Sequence, residues 1–304
     1  MKTKDKAVGS RDTRHCTKAN TAWECFKLGL HQYICNLKKT ITVLWPFALF
    51  SAACSAGILC LLFKLVKEQN TTGHLLTASI TIAILAVLII LSELYMYTGC
   101  FRQATEGVIH DRTWKCARLF LRVCKLVLYL LSLQLIPIAV AIGGHLFFHG
   151  SSITDQASVP FAKVLTVIVI IIVEMLYLPV VYIAIKFLLE KKSNLFYLLY
   201  KHYRPSLRHY GLIFAVVLLS TILVGLSCWL VTLPCQVLVL ACGQAANDYA
   251  LGDTVTFPGY FTALMFVAGT LTFFLANYVK SSVVYIIAVL YGTIDAKRLR
   301  QEEK

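Results

Sequence analysis

The chain is short of charge, and shorter still of acid: of 304 residues only 14% are charged, and 15 Asp and Glu stand against 29 Lys and Arg. With 58% hydrophobic residues, so little charge excludes a water-soluble globule, which could not cover that much apolar surface. The short patterns that carry common chemistry are missing too. There is no Gly-x-Ser-x-Gly, His-Glu-x-x-His or phosphate-loop run. The 11 cysteines include no Cys-x-x-Cys pair, and Cys16, Cys25, Cys35, Cys100, Cys116 and Cys124 lie on or near basic, reducing-side segments, which excludes a disulfide framework. No early apolar core reads as a cleavable signal, since the first apolar stretch starts at Ile41. Ser51-Ala52-Ala53-Cys54 has the spacing of a lipoprotein site but a serine where leucine is usual, so lipidation is not expected.

What is present is six long apolar runs, near residues 41–66, 76–99, 126–148, 161–189, 211–242 and 259–291. Each exceeds the roughly 20 residues that cross a hydrocarbon core. The sequence therefore predicts an all-α polytopic integral membrane protein. The expected domains are a basic tail at 1–21, a six-span membrane domain at 22–291 and a second tail at 292–304. The net charge of +14 would suit a nucleic-acid binder, but its distribution argues otherwise. Residues 1–40, 100–125, 186–210 and 292–304 hold 25 of the 29 basic residues, whereas the alternate connections hold almost none. Basic residues stay on the cytoplasmic face during insertion, so both termini are expected inside.

Two basic segments carry helical stripes. In 22–38, Trp23, Phe26, Leu30, Tyr33, Ile34 and Leu37 share one face, opposite Glu24, Lys27, His31, Gln32 and Lys38. In 194–210, Phe196, Leu199, Tyr203, Leu207 and Tyr210 share a face, with Lys201, Arg204 and Arg208 off it and Pro205 bending the helix. Both predict amphipathic helices lying in the membrane interface against anionic lipid headgroups; a face packed on neighbouring protein is the plainer alternative. Trp23-Glu24-Cys25-Phe26-Lys27-Leu28 returns as Trp114-Lys115-Cys116-Ala117-Arg118-Leu119, and Val180-Val181-Tyr182-Ile183 returns as Val283-Val284-Tyr285-Ile286. These echoes predict three hairpins, about 22–99, 100–189 and 190–291, each with an interfacial helix and two spans. Parallel two-span repeats weaken an inverted-repeat transporter reading. They also invite comparison with mitochondrial carriers, but Pro46-Phe47-Ala48, Pro137-Ile138-Ala139 and Pro234-Cys235-Gln236 lack the acidic residue that family places two positions after its proline.

The run Ala22-Trp23-Glu24-Cys25-Phe26-Lys27-Leu28-Gly29-Leu30, followed by Lys38-Lys39 and Trp45-Pro46-Phe47, resembles the start of the six-span bacterial membrane domain that accompanies some glycerophosphodiester phosphodiesterases, and of its stand-alone relatives. The resemblance implies a helical bundle in the bacterial cytoplasmic membrane. It brings no catalytic residues, because the phosphodiesterase domain with its metal-binding carboxylates has no counterpart here.

Few polar groups lie at depth. Glu93, Glu174, Asn277 and Lys280 are the candidates, and a charge inside a span is a functional-site hypothesis until its partner is known. Glu174 and Asn277 each precede the shared Val-Val-Tyr-Ile run by six residues. A pseudo-threefold arrangement would bring Glu93, Glu174 and Asn277 together, with Lys280 pairing one carboxylate and Asn277 or Tyr177 binding the other. The favoured reading is a polar cluster that orients the helices; an ion or proton site is the alternative. His145 and His149, with His74 and Asp155 as companions, have a spacing that can hold a metal but fix no tetrahedral set, so no metal or other cofactor is expected. Cys228, Cys235 and Cys242 fall on one helix face as packing residues. The sequence thus points to a noncatalytic membrane protein that organises or regulates lipids or partner proteins. A small transporter using the Glu/Asn/Lys cluster is the second class, and an enzyme the third.

Overall fold

The computed structural model describes residues 21–67, 72–105, 114–150, 158–189, 195–250, 258 and 260–302. Every regular element among them is an α-helix: α1 (Ala22–Lys67), α2 (Thr72–Ala104), α3 (Trp114–Gly150), α4 (Ser158–Leu189), α5 (Leu195–Leu207), α6 (Tyr210–Ala250) and α7 (Phe261–Glu302). Five are long and apolar enough to cross a membrane among the described residues, within α1, α2, α3, α6 and α7, while α4 contributes a shorter apolar stretch, Met175–Leu189. The chain is thus all-helical, with the composition of a multi-pass membrane protein.

Two compact units result. One runs to Arg112 and includes Val216–Ala296, so it holds α1, α2 and most of α6 and α7; the other is Thr113–Ala215 with the residues from Lys297 on, and holds α3, α4 and α5. The long helices of the first and last expected hairpins therefore share one unit, while α5 of the last hairpin lies in the other with the helices of the middle one.

In the first unit α1 begins with a reciprocal cap. Glu24 N–H donates to Thr21 Oγ1 at 3.2 Å, and Thr21 N–H donates to Glu24 Oε2 at 3.3 Å. From there α1 continues unbroken into the first apolar run, at about 1.5 Å per residue. It follows α7 in antiparallel register throughout. Cys25 Sγ lies 3.6 Å from Thr293 Oγ1, the Tyr33 hydroxyl donates to the Tyr278 carbonyl at 2.6 Å, and Asn277 Nδ2 donates to the Ala48 carbonyl at 3.4 Å. Near the other end, Phe63 and Phe261 rings sit 5.3 Å apart. The separate in-plane helix expected at 22–38 is therefore replaced by a continuation of the span along α7. Phe26 and Tyr33 from its stripe are buried, whereas Trp23 and Ile34 stay exposed. Periodicity marks an apolar face without saying whether lipid or protein covers it.

Close approach makes this register specific. A Cβ on Gly29 would stand 2.6 Å from Ile286 Cα, and one on Gly99 would stand 2.7 Å from Leu44 Cδ2. α2 meets α1 at the buried cluster of Tyr33, Leu44, Ala48, Met96, Cys100, Tyr278 and Tyr285. α6 packs on α7 through the cysteine face: Cys228 Sγ is 4.0 Å from the Ala276 carbonyl, and Cys242 Sγ is 4.0 Å from Met265 Sδ.

In the second unit, prolines set the pattern. Proline has no N–H, so inside a helix it frees the carbonyl four residues before it, and in hydrocarbon that carbonyl needs a new donor. Pro137 frees the Leu133 carbonyl, which accepts from the Tyr177 hydroxyl of α4 at 3.1 Å. Pro179 frees the Met175 carbonyl, which accepts from the Tyr210 hydroxyl at the start of α6 at 3.2 Å. Around the same bend the Tyr203 hydroxyl donates to the Leu176 carbonyl at 3.0 Å, and Ser206 Oγ donates to the Pro179 carbonyl at 3.2 Å. His202 of α5 lies by Lys186 of α4 and Ser206 by Pro179, so α5 doubles back along α4. The hydroxyls of Tyr203 on α5 and Tyr210 on α6 grip α4, so these two side chains of the 194–210 stripe are anchored to protein.

Two outcomes test this packing. Gly29→Ala should destabilise the first unit by about 1–3 kcal/mol, since the obstacle is backbone and cannot swing aside; thermal unfolding in detergent reads it. Tyr210→Phe should cost about 1 kcal/mol and raise amide exchange around Pro179, leaving exchange in α1 unchanged.

Candidate functional site

The predicted site residues fall in different surroundings. Glu93 on α2 and Lys280 on α7 face each other, with Lys280 Nζ 3.6 Å from Glu93 Oε1; their side chains are 25% and 45% exposed respectively. Asn277 lies one turn earlier on α7, is buried, and turns to the Ala48 carbonyl of α1. The side chain of Glu174 lies outside the described residues, as do those of Trp114, His74, His145, His149 and Asp155. Tyr177, expected as a partner for a carboxylate, gives its hydroxyl to the Leu133 carbonyl.

The position of the Glu93–Lys280 pair follows from the burial pattern. In the first unit the exposed large apolar side chains form a belt: Ile41 to Leu62 on α1, Leu76 to Leu91 on α2, Leu218 to Leu240 on α6 and Leu264 to Leu275 on α7. Ile41 to Leu62 spans about 32 Å at 1.5 Å per residue, close to the thickness of a hydrocarbon core. Beyond one rim of this belt the same helices turn inward on themselves. Met96, Phe101, Tyr278, Tyr285, Ile286, Leu290 and Ile294 are buried there, and only Trp23 and Ile34 remain large, apolar and exposed among the described residues. Glu93 stands two residues past Leu91, and Lys280 five past Leu275, so the pair sits at the rim as α2 and α7 define it. Its partial exposure suits that level, where a lysine can extend its ammonium to water and phosphate.

Just past the rim is a polar knot that the sequence did not reveal. Gln103 Oε1 accepts from the Tyr285 hydroxyl at 3.0 Å and lies 2.7 Å from Thr40 Oγ1, with Thr40 and Tyr285 oxygens 3.2 Å apart. All three residues are buried, and each comes from a different helix. The Tyr33 ring meets the Tyr285 ring edge-on at 5.3 Å. Tyr285 belongs to the repeated Val-Val-Tyr-Ile run, which was its one visible mark. Ser92 Oγ donates to the Phe47 carbonyl at 2.7 Å, adding a further tie between α1 and α2. These groups satisfy one another and the backbone, which lets polar atoms sit inside a packed unit without a desolvation penalty.

The second unit presents an opposite kind of surface. Arg118, Lys125, Lys201, Arg204 and Arg208 are exposed, and no acidic side chain is described in this unit. On α5 the exposed aromatics Phe196, Tyr197 and Tyr200 accompany these cations, and Lys201 Nζ lies 5.6 Å from the centre of the Tyr197 ring. Arg122 is placed inward instead: Nη1 donates to the Phe187 carbonyl at 3.3 Å, and the guanidinium lies over the Phe187 ring. Lys186 is buried, with Nζ 3.5 Å from His202 Nδ1. Trp23, in the first unit, is 58% exposed and stacks on Phe26 at 5.8 Å, and Lys27 beside it is exposed.

Among the described residues no three His, Cys, Asp or Glu side chains come together as a metal site. Compared with protein-family models, with curated proteins and with solved structures, the chain finds no match in any.

One titration bears on the second unit. His209, in the turn between α5 and α6, has its pKa lowered from 6.5 by burial, then by the charges of Lys297 and Arg208. A lowered folded pKa means that on acidification the unfolded chain takes its proton first, so stability falls as pH drops through about 6.5 and stops falling below the folded pKa. Unfolding of the wild type should therefore come earlier at about pH 5.5 than at about pH 7.5, and His209→Asn should reduce that difference.

Proposed function

We propose that this is a noncatalytic integral membrane protein that organises or regulates membrane lipids or partner proteins, with anionic headgroups as its general surface partner. The observation that carries the reading is the described outer surface of the second unit, where five cations and the α5 aromatics are exposed and no carboxylate accompanies them. Cations interleaved with aromatics match an anionic lipid surface: the rings enter the headgroup layer and the charges meet phosphate. The polar groups beyond the rim support the same reading from the other direction, because Asn277, Ser92, Thr40, Gln103 and Tyr285 are engaged with backbone or with one another. A transport site would need such groups facing water, so the reading in which Glu93, Glu174, Asn277 and Lys280 form an ion path loses its amide.

In this proposal α4 makes a sixth crossing and the helices pass the membrane as three hairpins. Both termini, the 100–125 segment and the 190–210 segment are cytoplasmic, following the basic residues. The bacterial cytoplasmic membrane follows from the likeness of 22–47 to the six-span domain described above, to whose stand-alone relatives the chain is proposed to belong.

Orientation and partner are tested together. In cells expressing the protein with reactive native thiols removed, cysteine at Ser152 or Asp253 should label from outside and cysteine at Ser193 should not; the reverse pattern overturns the topology. Native mass spectrometry of gently solubilised protein should retain anionic phospholipid, and Lys201→Gln with Arg204→Gln and Arg208→Gln should reduce that retention about threefold or more. Retention unchanged by the triple variant would sink the headgroup assignment.

A further inference from the structure

The Glu93–Lys280 pair is built unlike an ordinary structural salt bridge. Its 3.6 Å separation is long for a direct charge-assisted hydrogen bond, which closes to about 2.7–2.9 Å. Both side chains remain partly exposed although the two groups together sum to no net charge. On α2 and α7 they directly follow the last exposed leucines of the apolar belt, Leu91 and Leu275. An ammonium with three donors and a carboxylate with two acceptor oxygens are thus presented side by side at the end of an exposed apolar stretch. Tyr97 of α2 and Cys228 of α6 lie close enough to feel the charges of Glu93 and Lys280 respectively, so the pair is shared by three helices.

The chemistry complementary to this arrangement carries one negative and one positive group about as far apart as the pair itself, attached to apolar chains. We infer that Glu93 and Lys280 bind the headgroup of a phospholipid bearing both a phosphate and a primary ammonium, with phosphate on Lys280, ammonium on Glu93 and the acyl chains along the belt. The four charges then alternate, and each ionic group gains a second partner. An anionic headgroup with no amine would satisfy Lys280 but bring its charge against Glu93. A quaternary ammonium would match the charges but has no N–H to donate to the carboxylate. The preference is therefore for phosphatidylethanolamine over phosphatidylglycerol and phosphatidylcholine. It rests on the membrane reading above but concerns a different unit and the opposite headgroup preference from the cationic α5 surface.

The experiment uses the full chain, delipidated in detergent and titrated with each of the three lipids or with soluble phosphoethanolamine, and reads bound lipid by native mass spectrometry and thermal unfolding. Wild type should retain phosphatidylethanolamine about threefold or more over the other two lipids at equal concentration, a ratio worth about 0.65 kcal/mol. Glu93→Gln should bring the ratio near one while the α5 triple variant leaves it unchanged. If Glu93→Gln fails to fold, the double variant Glu93→Gln with Lys280→Gln, which keeps a neutral hydrogen-bonding pair, should show the same loss. A preference that survives in whichever of these variants folds overturns the inference, as does an equal shift by soluble phosphoethanolamine, which would make the ligand a free solute. Binding of no lipid at all would overturn the broader lipid reading as well; binding without headgroup preference would overturn this inference alone.

Discussion

A backbone carbonyl inside hydrocarbon has no water to turn to, and the second unit is organised around that constraint. Each proline that opens a helix leaves one acceptor bare, and the cost of leaving it so exceeds the cost of recruiting a tyrosine from the next helix. Tyr177 closes the gap opened by Pro137, and Tyr210 closes the one opened by Pro179. The donor comes from a later element in each case, so α3 is locked to α4 and α4 to the start of α6. Where α5 lies follows from this. With Tyr203 and Ser206 held at the same bend, the short helix must return along α4, and only its far side, bearing Phe196, Tyr197, Tyr200 and the cations, is left exposed.

The first unit also carries internal prolines, Pro46 in α1 and Pro234 in α6, but its helices are held by close packing and side-chain pairs. Its close contacts are made by small residues, Gly29 against Ile286 and Gly99 against Leu44, and the buried Thr40, Gln103 and Tyr285 pair across α1, α2 and α7. The helices are longer than a membrane is thick, and the excess sits on one side of the belt. There the side chains change from exposed leucine and isoleucine to buried tyrosine, methionine and paired hydroxyls.

Much of this architecture could be read in the sequence, and the failures share a cause. Long apolar runs and their separation by basic segments locate the helices, because length and composition are local properties. The cap at Thr21 and Glu24 was equally local, a Thr-x-x-Glu before an apolar stripe, and was legible though passed over. What could not be read was the partner of a face. Trp23, Phe26 and Tyr33 satisfy the helical period of an interfacial helix, yet Phe26 and Tyr33 are covered by protein and Trp23 is not. The period is identical in the two cases. The ties from Tyr177 to Leu133 and from Tyr33 to Tyr278 cross 44 and 245 residues, and no spacing rule connects residues that far apart.

The four polar residues singled out at depth show how far such an argument goes. Asn277 and Lys280 lie three apart on one helix, so spacing alone assigns them a common side. In the folded unit a rotation of some 60° separates them: three residues at about 100° each fall short of a full turn by that much. It is enough to send the amide inward to the Ala48 carbonyl of α1 and the ammonium outward to Glu93 of α2. One is then a structural tie in a dry interface and the other a charge at a wet rim. A single helix face can serve both roles because α1 and α2 meet α7 on adjacent sides. A search for function among intramembrane charges therefore has to begin from which neighbour each side chain meets, and among the described residues of this set that neighbour leaves the Glu93–Lys280 pair facing outward.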